Sequence, residues 1–234
     1  MSKYVVVILA LLVVLGLGIY LLVESDGVEE KDDQEIEKEN LKDEEFDNDV
    51  SGSEDSRSVD YLSKIDLEDS PSMGDEDAPV KMVNYSSYYC PFCGTFKKDI
   101  FPKIKEEYID TGKVEYFYKD SGDPQDQVFL SAHCAGMQDD VFFEFQEILY
   151  EEGVQREEDL FDHARDFDLD MDKFKECMED ACCAYIIEQT QYEMRELNIT
   201  GVPYFIINNT ALSGAQSFES MSAAIDEELS KKGE

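Results

Sequence analysis

Two cysteines three positions apart, Cys90 and Cys93, are the residues of this chain best placed to do chemistry. They follow an apolar and aromatic run, 83–89, that predicts a buried strand and a tight turn, and they open an amphipathic helix. The first cysteine of such a helix meets unpaired backbone N–H groups and the positive end of the helix dipole, which favour thiolate over thiol. The second lies one turn further on, close enough to close a small disulfide ring. The pattern therefore predicts thiol–disulfide exchange.

In that chemistry Cys90 is expected to be the exposed nucleophile and Cys93 the buried resolving thiol. The alternatives are a metal site and an inert structural disulfide. A structural zinc site needs four ligands, usually from a second cysteine pair or paired histidines. The other candidate ligands do not have that spacing: Cys134, Cys177, Cys182, Cys183, His133 and His163. We therefore predict no metal and no bound cofactor.

The composition limits the partners of the protein. The 234 residues carry a formal net charge of −36. We do not expect nucleic-acid binding, because affinity for phosphate needs clustered Lys and Arg. Acidity of this degree also keeps a protein hydrated in concentrated salt, so the composition suggests a halophilic source.

The N-terminal segment, residues 1–23, is predicted to be a transmembrane anchor. Tyr4 to Val23 are twenty residues without a charge, preceded by Lys3, and about 20 apolar residues in a helix span a bilayer core. The alternative is a cleaved signal peptide. The positive charge at the front predicts a single-pass protein of the cell membrane with the remainder outside the cytosol, where disulfides persist.

Residues 24–79 follow as an acidic segment with 23 Asp or Glu against 5 Lys or Arg. With few aromatic residues and no sustained apolar period, such a segment cannot bury enough surface to offset its conformational entropy. We expect a disordered linker that tethers the folded domain, residues 80–234, to the membrane.

The folded domain is predicted to be α/β. Val80–Tyr85 and Val114–Tyr118 read as strands on either side of a helix over Cys90–Ile109, which implies a parallel pair with a right-handed crossover. Pro102 predicts a kink in that helix. An all-helical insertion spans about 126–197, and the last predicted elements follow it: strands Pro203–Ile207 and Thr210–Ser213 in a hairpin, then the helix Ser217–Ser230. Within the insertion we predict five helices: Gln127–Met137, Asp140–Glu151, Arg156–Phe167, Asp170–Asp180 and Ala181–Leu197.

These motifs and their order resemble the DsbA-like thiol-disulfide oxidoreductases. The matching residues are the Cys-Pro-Phe-Cys run 90–93, the Gly-Val-Pro-Tyr-Phe run 201–205 before a hairpin, and a helical block between them. Weaker matches are the runs 131–135, 142–145 and 213–216. The resemblance covers about 80–230 and implies a thioredoxin fold with an inserted all-helical domain.

The resemblance also implies that Pro203 follows a cis peptide bond and faces the disulfide. With Pro203 facing the disulfide, the backbone of Val202 would be free to pair with an incoming peptide as a neighbouring strand does. The side chains of Phe92, Val202 and Tyr204 would then form an apolar rim suited to unfolded chains.

For the cysteines of the insertion, four residues allow three pairings, and their spacing does not choose among them. The resemblance favours a structural disulfide between Cys134 and Cys177. Cys182 and Cys183 would then be two buried thiols, a vicinal pair or an auxiliary redox relay. Consecutive residues of a helix point about 100° apart, which makes a vicinal disulfide awkward in an intact helix.

The chain departs from the family pattern at positions that affect the direction of the reaction. Asn84 stands where the family often has a carboxylate, Ser87 where an Asp is common, and Phe92 where the oxidising members have His. The expected function is a membrane-tethered disulfide oxidoreductase acting on thiol-containing exported polypeptides. By family analogy a quinone-linked membrane protein would re-oxidise it. The alternatives are a thiol reductant for exported proteins or cofactor attachment, and a peptide-binding module whose disulfide is only structural.

Overall fold

A five-stranded mixed sheet forms the centre of the computed structural model, which describes residues 60–153 and 156–232. The strands lie in the order β1-β3-β2-β4-β5. Strands β2 and β3 pair in parallel and the other neighbours pair antiparallel. The strand bounds are β1 Ser72–Met73, β2 Val80–Ser86, β3 Val114–Asp120, β4 Tyr204–Ile207 and β5 Thr210–Ser213. The predicted parallel β-α-β unit and the C-terminal hairpin are thus present.

The register of the central pair brings polar residues together at one edge of the sheet. Asn84 pairs with Tyr118, and Ser86, the last residue of β2, pairs with Asp120, the last residue of β3. Parallel strands end at the same side of a sheet, so the helix that follows β2 begins next to the end of β3. This edge carries the site described below.

The connection from β2 to β3 is helical from Pro91 to Ile109, but it is not one regular α-helix. Two α-helical pieces, α1 Pro91–Thr95 and α2 Phe101–Ile104, each precede a π-helical turn, Phe96–Ile100 and Lys105–Ile109. Pro102 lies in the first turn of α2, where its missing N–H costs little. The sequence predicted a kink here, and the structure accommodates the proline by a π turn immediately before it.

Five helices between β3 and β4 form the predicted insertion, and one helix closes the chain. Their bounds are α3 Gln127–Gly136, α4 Phe142–Glu152, α5 Glu157–Asp166, α6 Met171–Asp180, α7 Ala184–Glu196 and α8 Phe218–Lys232. Aromatic and aliphatic side chains from these helices are fully buried against the sheet core, for example Phe145, Leu149, Leu160 and Phe174. Most bounds agree with the prediction to a few residues, but the last helix of the insertion begins at Ala184 rather than at Ala181.

Residues 60–79, which the sequence assigned to the linker, pack on the domain instead. Strand β1 pairs with the outer edge of β3, and Ile65 is buried in a second apolar cluster on the opposite face of the sheet. The backbone N–H of Asp66 donates to Glu193 Oε1 at 2.9 Å, and that carboxylate also forms a buried ion pair with Lys119 at 3.0 Å. The stretch is acidic overall, but its apolar residues Tyr61, Leu62, Ile65 and Leu67 pack on that opposite face of the sheet.

The predicted anchor over Tyr4–Val23 and the linker up to residue 59 lie outside the described residues. Among the helices that the structure does describe, none combines the length and the apolar character needed to cross a bilayer.

Candidate active site

Cys90 and Cys93 stand at the first turn of α1. Cys90 is the N-cap of the helix, with extended backbone, and its Sγ accepts a hydrogen bond from the backbone N–H of Cys93 at 3.4 Å. Pro91 takes the first helical position, where no backbone donor is lost. Cys90 is partly exposed and Cys93 fully buried, and both are free thiols in this structure. An N-cap sulfur held by a helix N–H is the geometry that stabilises a thiolate.

The loop before β4 lies opposite Cys90. The Val202–Pro203 peptide bond is cis, and the Cys90 thiol donates to the Val202 carbonyl at 3.4 Å. The carbonyl of Pro203 accepts from the backbone N–H of Gly214 at 2.9 Å, which ties this loop to the residue after β5. A backbone carbonyl next to a reactive sulfur can align an extended peptide beside it.

The environment of Cys93 makes its thiolate costly. Burial, and then the hydrogen bond to Cys90, raise the pKa of the Cys93 thiol to about 12, while hydrogen bonds from the Ser86 hydroxyl and the Ser87 backbone act in the opposite direction. A thiol with such a pKa remains protonated at neutral pH. Whenever the Cys90–Cys93 disulfide opens by release of Cys93, a proton must therefore reach that sulfur.

A chain of buried hydroxyl groups begins at the same serine. Ser86 Oγ lies 2.7 Å from the hydroxyl of Tyr150, and that hydroxyl lies 2.8 Å from the hydroxyl of Tyr118. Burial raises the pKa of both tyrosines well above the ordinary value, so they are neutral and can pass protons only as hydroxyl groups. Ser86 ends β2, Tyr118 is on β3 and Tyr150 is on α4, so the insertion completes a chain that starts in the sheet.

A buried carboxyl and an imidazole lie beyond the tyrosines. Asp120 Oδ2 is 2.8 Å from His133 Nε2, and both side chains are almost completely buried. Burial raises the pKa of the Asp120 carboxyl, and the hydrogen bond and charge of His133 oppose this rise. Tyr118 is close enough to Asp120 for each to alter the pKa of the other. The pair can hold or release a proton at the end of the hydroxyl chain.

Asn84 occupies the strand position where the family often has a carboxylate. It is buried, and its Nδ2 donates to the hydroxyl of Tyr116 at 2.8 Å. An amide does not titrate. A buried titratable carboxyl lies instead at the end of the neighbouring strand, at Asp120, which like Cys93 adds to the rise that burial causes in the pKa of Tyr150.

Two aromatic side chains beside the cysteines are exposed. Phe92 is 63% and Tyr89 is 45% exposed, and the Tyr89 hydroxyl donates to Asp126 Oδ2 at 2.7 Å. Of the other side chains predicted for an apolar rim, Val202 and Tyr204 are half-buried and pack with the second apolar cluster. The structure thus brings Phe92 and the Val202 backbone to the cysteines, and Tyr89 joins them although the sequence did not single it out.

Cys134 and Cys177 form a disulfide between α3 and α6 with a Cα–Cα distance of 5.8 Å, which is the pairing that the resemblance implied. The sequence missed the buried polar residues that lead away from the buried thiol: Ser86, Tyr150, Tyr118, Asp120 and His133. A usable signal existed for two of them. Ser86 and Asp120 are polar residues at the ends of predicted parallel strands, where side chains of neighbouring strands meet.

Comparison with known proteins agrees with this geometry. A family model described as Thioredoxin matches residues 66–227. The chain is 27% identical over 173 residues to disulfide bond formation protein D of Bacillus subtilis, covering 69% of this chain and 78% of that protein. Crystal structures with a similar fold include oxidised BdbD of Bacillus subtilis, with a TM-score of 0.64, 26% identity and coverage of 71% of this chain and 96% of that chain. Another is α-DsbA1 of Wolbachia pipientis, with a TM-score of 0.64, 25% identity and coverage of 74% and 97%.

Proposed function

The chain belongs to the thioredoxin family and is a DsbA-like protein thiol-disulfide oxidoreductase, and from this premise we propose that Cys90 and Cys93 carry its chemistry. The single observation that most supports the proposal is the contrast between the two sulfurs. One is a partly exposed N-cap that faces the Val202 carbonyl, and the other is a buried thiol with a raised pKa.

The reaction begins with the Cys90–Cys93 disulfide and a substrate thiolate. The thiolate attacks Cys90 Sγ, a mixed disulfide forms, and Cys93 leaves and takes up a proton. A second substrate thiolate then attacks the substrate sulfur of the mixed disulfide, and Cys90 leaves as a thiolate. Two substrate thiols have become one disulfide, and the enzyme has gained two electrons and ends as a dithiol.

The residues around the cysteines have distinct parts in these steps. The N–H of Cys93 and the start of α1 stabilise the Cys90 thiolate as it leaves. The hydroxyls of Ser86 and Tyr150 deliver a proton toward Cys93, whose thiolate would otherwise be a poor leaving group. Phe92 and Tyr89 provide exposed aromatic surface for apolar segments of an unfolded chain.

The substrates we propose are exported polypeptides with free thiols, reached from a tether at the membrane surface. Support comes from the sequence, where the uncharged run Tyr4–Val23 precedes an acidic segment. A membrane protein that passes electrons to a quinone would return the dithiol to the disulfide. If the tether is correct, the full-length chain stays with the membrane fraction after alkaline carbonate washing. N-terminal sequencing that finds the mature protein beginning inside or just after the run Tyr4–Val23 would contradict the tether but not the chemistry.

The direction of the reaction follows from the reduction potential of the cysteine pair. Phe92 contributes neither a hydrogen bond nor a charge to the Cys90 thiolate, so stabilisation rests on the backbone and the helix. A potential of about −120 mV would identify an oxidant, and one of about −270 mV a reductant that keeps exported thiols reduced.

The catalytic proposal is tested by oxidative refolding of a reduced model protein. The parent chain should accelerate recovery of its activity, Cys90→Ser should abolish the acceleration, and Cys93→Ala should stop at a mixed disulfide. Unchanged acceleration in the Cys90→Ser variant would reject the mechanism. That result would favour the alternative that the protein is a peptide-binding module.

A further inference from the structure

A second group of sulfur atoms lies in the helical insertion and takes no part in the reaction above. Cys182 and Cys183 are free thiols with their Sγ atoms 3.5 Å apart. The Sδ of Met137 is 3.1 Å from the Sγ of Cys183 and 3.7 Å from the Sγ of Cys182. Three sulfurs thus form a compact triangle beside the Cys134–Cys177 disulfide, whose Cys177 Sγ is 3.6 Å from Cys183.

The backbone makes this triangle by leaving the helical path. Helix α6 ends at Asp180, and Ala181 takes a left-handed conformation with φ 46°. Few non-glycine residues adopt this conformation, and it costs roughly 1 kcal/mol. The turn through Cys183 takes the place of the first residues of the predicted helix Ala181–Leu197, which begins at Ala184 instead. Consecutive cysteines that a helix would point about 100° apart now converge.

The exposure of the three residues differs from that of a core cluster. Cys183 is buried, but Cys182 is exposed, so the expectation of two buried thiols is wrong for Cys182. Met137, which follows α3, is 67% exposed, although methionine is normally a buried residue. Its sulfur nevertheless meets both thiols. The triangle therefore has a buried corner and two corners that solvent can reach.

Exchange between these thiols and the neighbouring disulfide does not fit the geometry. A thiolate must approach a disulfide sulfur in line with the bond that breaks. With the 3.6 Å approach of Cys183 to Cys177 and an ordinary disulfide bond of about 2 Å, an in-line arrangement would separate the outer sulfurs by about 5.6 Å. The sulfurs of Cys183 and Cys134 lie within 4.8 Å of each other, so the three atoms are bent. The four cysteine sulfurs of the insertion form a compact group, and neither of its free thiols lies in line with the disulfide bond.

We propose that Met137, Cys182 and Cys183 form a binding site for a soft metal ion of low coordination number, of the Cu(I) type. Two thiolates and a thioether are the donors that such ions prefer over the oxygen ligands chosen by Mg²⁺ or Ca²⁺. The site needs no change in the Cys134–Cys177 disulfide and no external electron donor. It is independent of the function proposed for Cys90 and Cys93.

The dimensions of the triangle are close to those of a three-coordinate site. With metal–sulfur bonds of about 2.3 Å, the corners of a planar three-sulfur set are about 4 Å apart. The edges of the present triangle have to lengthen by about 0.3 to 0.9 Å to reach that spacing, and its two exposed corners can move.

The test is an anaerobic titration of the full-length chain with Cu(I) in the presence of a chromophoric competitor. The titrated parent carries Cys90→Ser and Cys93→Ser, so that two free thiols remain, and a thiol count confirms that the Cys134–Cys177 disulfide is intact. We expect one equivalent of Cu(I) per chain. Cys182→Ser should weaken binding by roughly a hundredfold or more, and Met137→Leu by roughly tenfold, because each removes one soft donor.

Met194→Leu is the matched control, because it removes a thioether from a half-buried position outside the triangle. It should leave the affinity unchanged. Circular dichroism verifies folding, which neither Met137→Leu nor Cys182→Ser should disturb because both side chains are exposed. Equal affinity in the Met137→Leu variant and the parent would overturn the assignment. So would binding that requires prior reduction of the Cys134–Cys177 disulfide, which would point to a four-cysteine site instead.

Discussion

Replacement of Tyr150 by Phe tests whether the buried hydroxyl chain serves the chemistry of Cys93. The substitution removes one hydroxyl that lies 2.7 Å from Ser86 Oγ and 2.8 Å from the Tyr118 hydroxyl. Each such hydrogen bond contributes about 1 kcal/mol net, so we expect the free energy of unfolding to fall by about 2 kcal/mol. The ring itself remains, and with it the packing of Tyr150 against Tyr88.

The kinetic consequence should be confined to one step. Cys93 is the leaving group when a substrate thiolate attacks the oxidised enzyme, and its pKa of about 12 compares with 9.0 for an ordinary cysteine. The free Cys93 thiolate is therefore disfavoured about a thousandfold at equilibrium relative to the thiolate of such a cysteine, which makes it a slower leaving group unless it is protonated. Loss of the proton-delivering chain should therefore slow formation of the mixed disulfide about tenfold or more. Release of Cys90 in the second step should keep its rate.

The two steps are separated by rapid quenching and mass measurement with a fluorescent peptide thiol. A labelled peptide is needed because the chain contains no Trp to report the redox state. Tyr192→Phe, at an exposed tyrosine of α7, is the matched control and should change neither step. If Tyr150→Phe slowed both steps equally, or neither, the reasoning about proton delivery would be refuted.

Three further predictions concern the thiols, a buried lysine and the structural disulfide. At pH 7 iodoacetamide should label Cys90 in the reduced protein far faster than Cys93, whose thiolate fraction is about a thousandfold below that of an ordinary cysteine, as peptide mapping would show; equal labelling would contradict the raised pKa of the buried thiol. Burial lowers the pKa of Lys97 to about 8 from 10.5, so its charged form destabilises the fold at low pH and the penalty fades as pH rises from 8 to 10.5. Lys97→Met should raise the free energy of unfolding by about 3 kcal/mol at pH 7 and by nothing above pH 10.5 in urea titrations, and a gain independent of pH would refute this cause. Replacing both Cys134 and Cys177 by Ala opens a loop with a sequence separation of 43 and should cost roughly 3–4 kcal/mol of stability; a melting temperature equal to the parent's would show that the bond contributes nothing.

Local chemistry made much of the fold predictable. The β-branched and aromatic runs of β2 and β3, the helix opened by Cys90 and Pro91, and the hairpin at Asn208 all follow from period, capping and turn preferences. The cis bond before Pro203 and the Cys134–Cys177 pairing came from the family resemblance, and both are present in the structure.

What the sequence could not provide depends on contacts between distant segments. Ile65 is buried only because the far face of the sheet needs a cover, which composition does not reveal. The turn at Ala181 breaks a stretch with good helical period, and it is stabilised by tertiary packing that overrides local preference. The cluster of Tyr150, Tyr118 and Asp120 joins α4 to the sheet across long separations, so no local motif contains it.

The most direct test of the central claim is to locate the covalent bond between enzyme and substrate. In a Cys182→Ser background, which removes the exposed free thiol of the insertion, the Cys93→Ala variant oxidised with a thiol peptide should carry the peptide on Cys90 alone, as tandem mass spectrometry of the digested adduct would show. The variant that also carries Cys90→Ser should form no adduct. A stable adduct on another cysteine, or adduct formation that survives the loss of Cys90, would contradict the account.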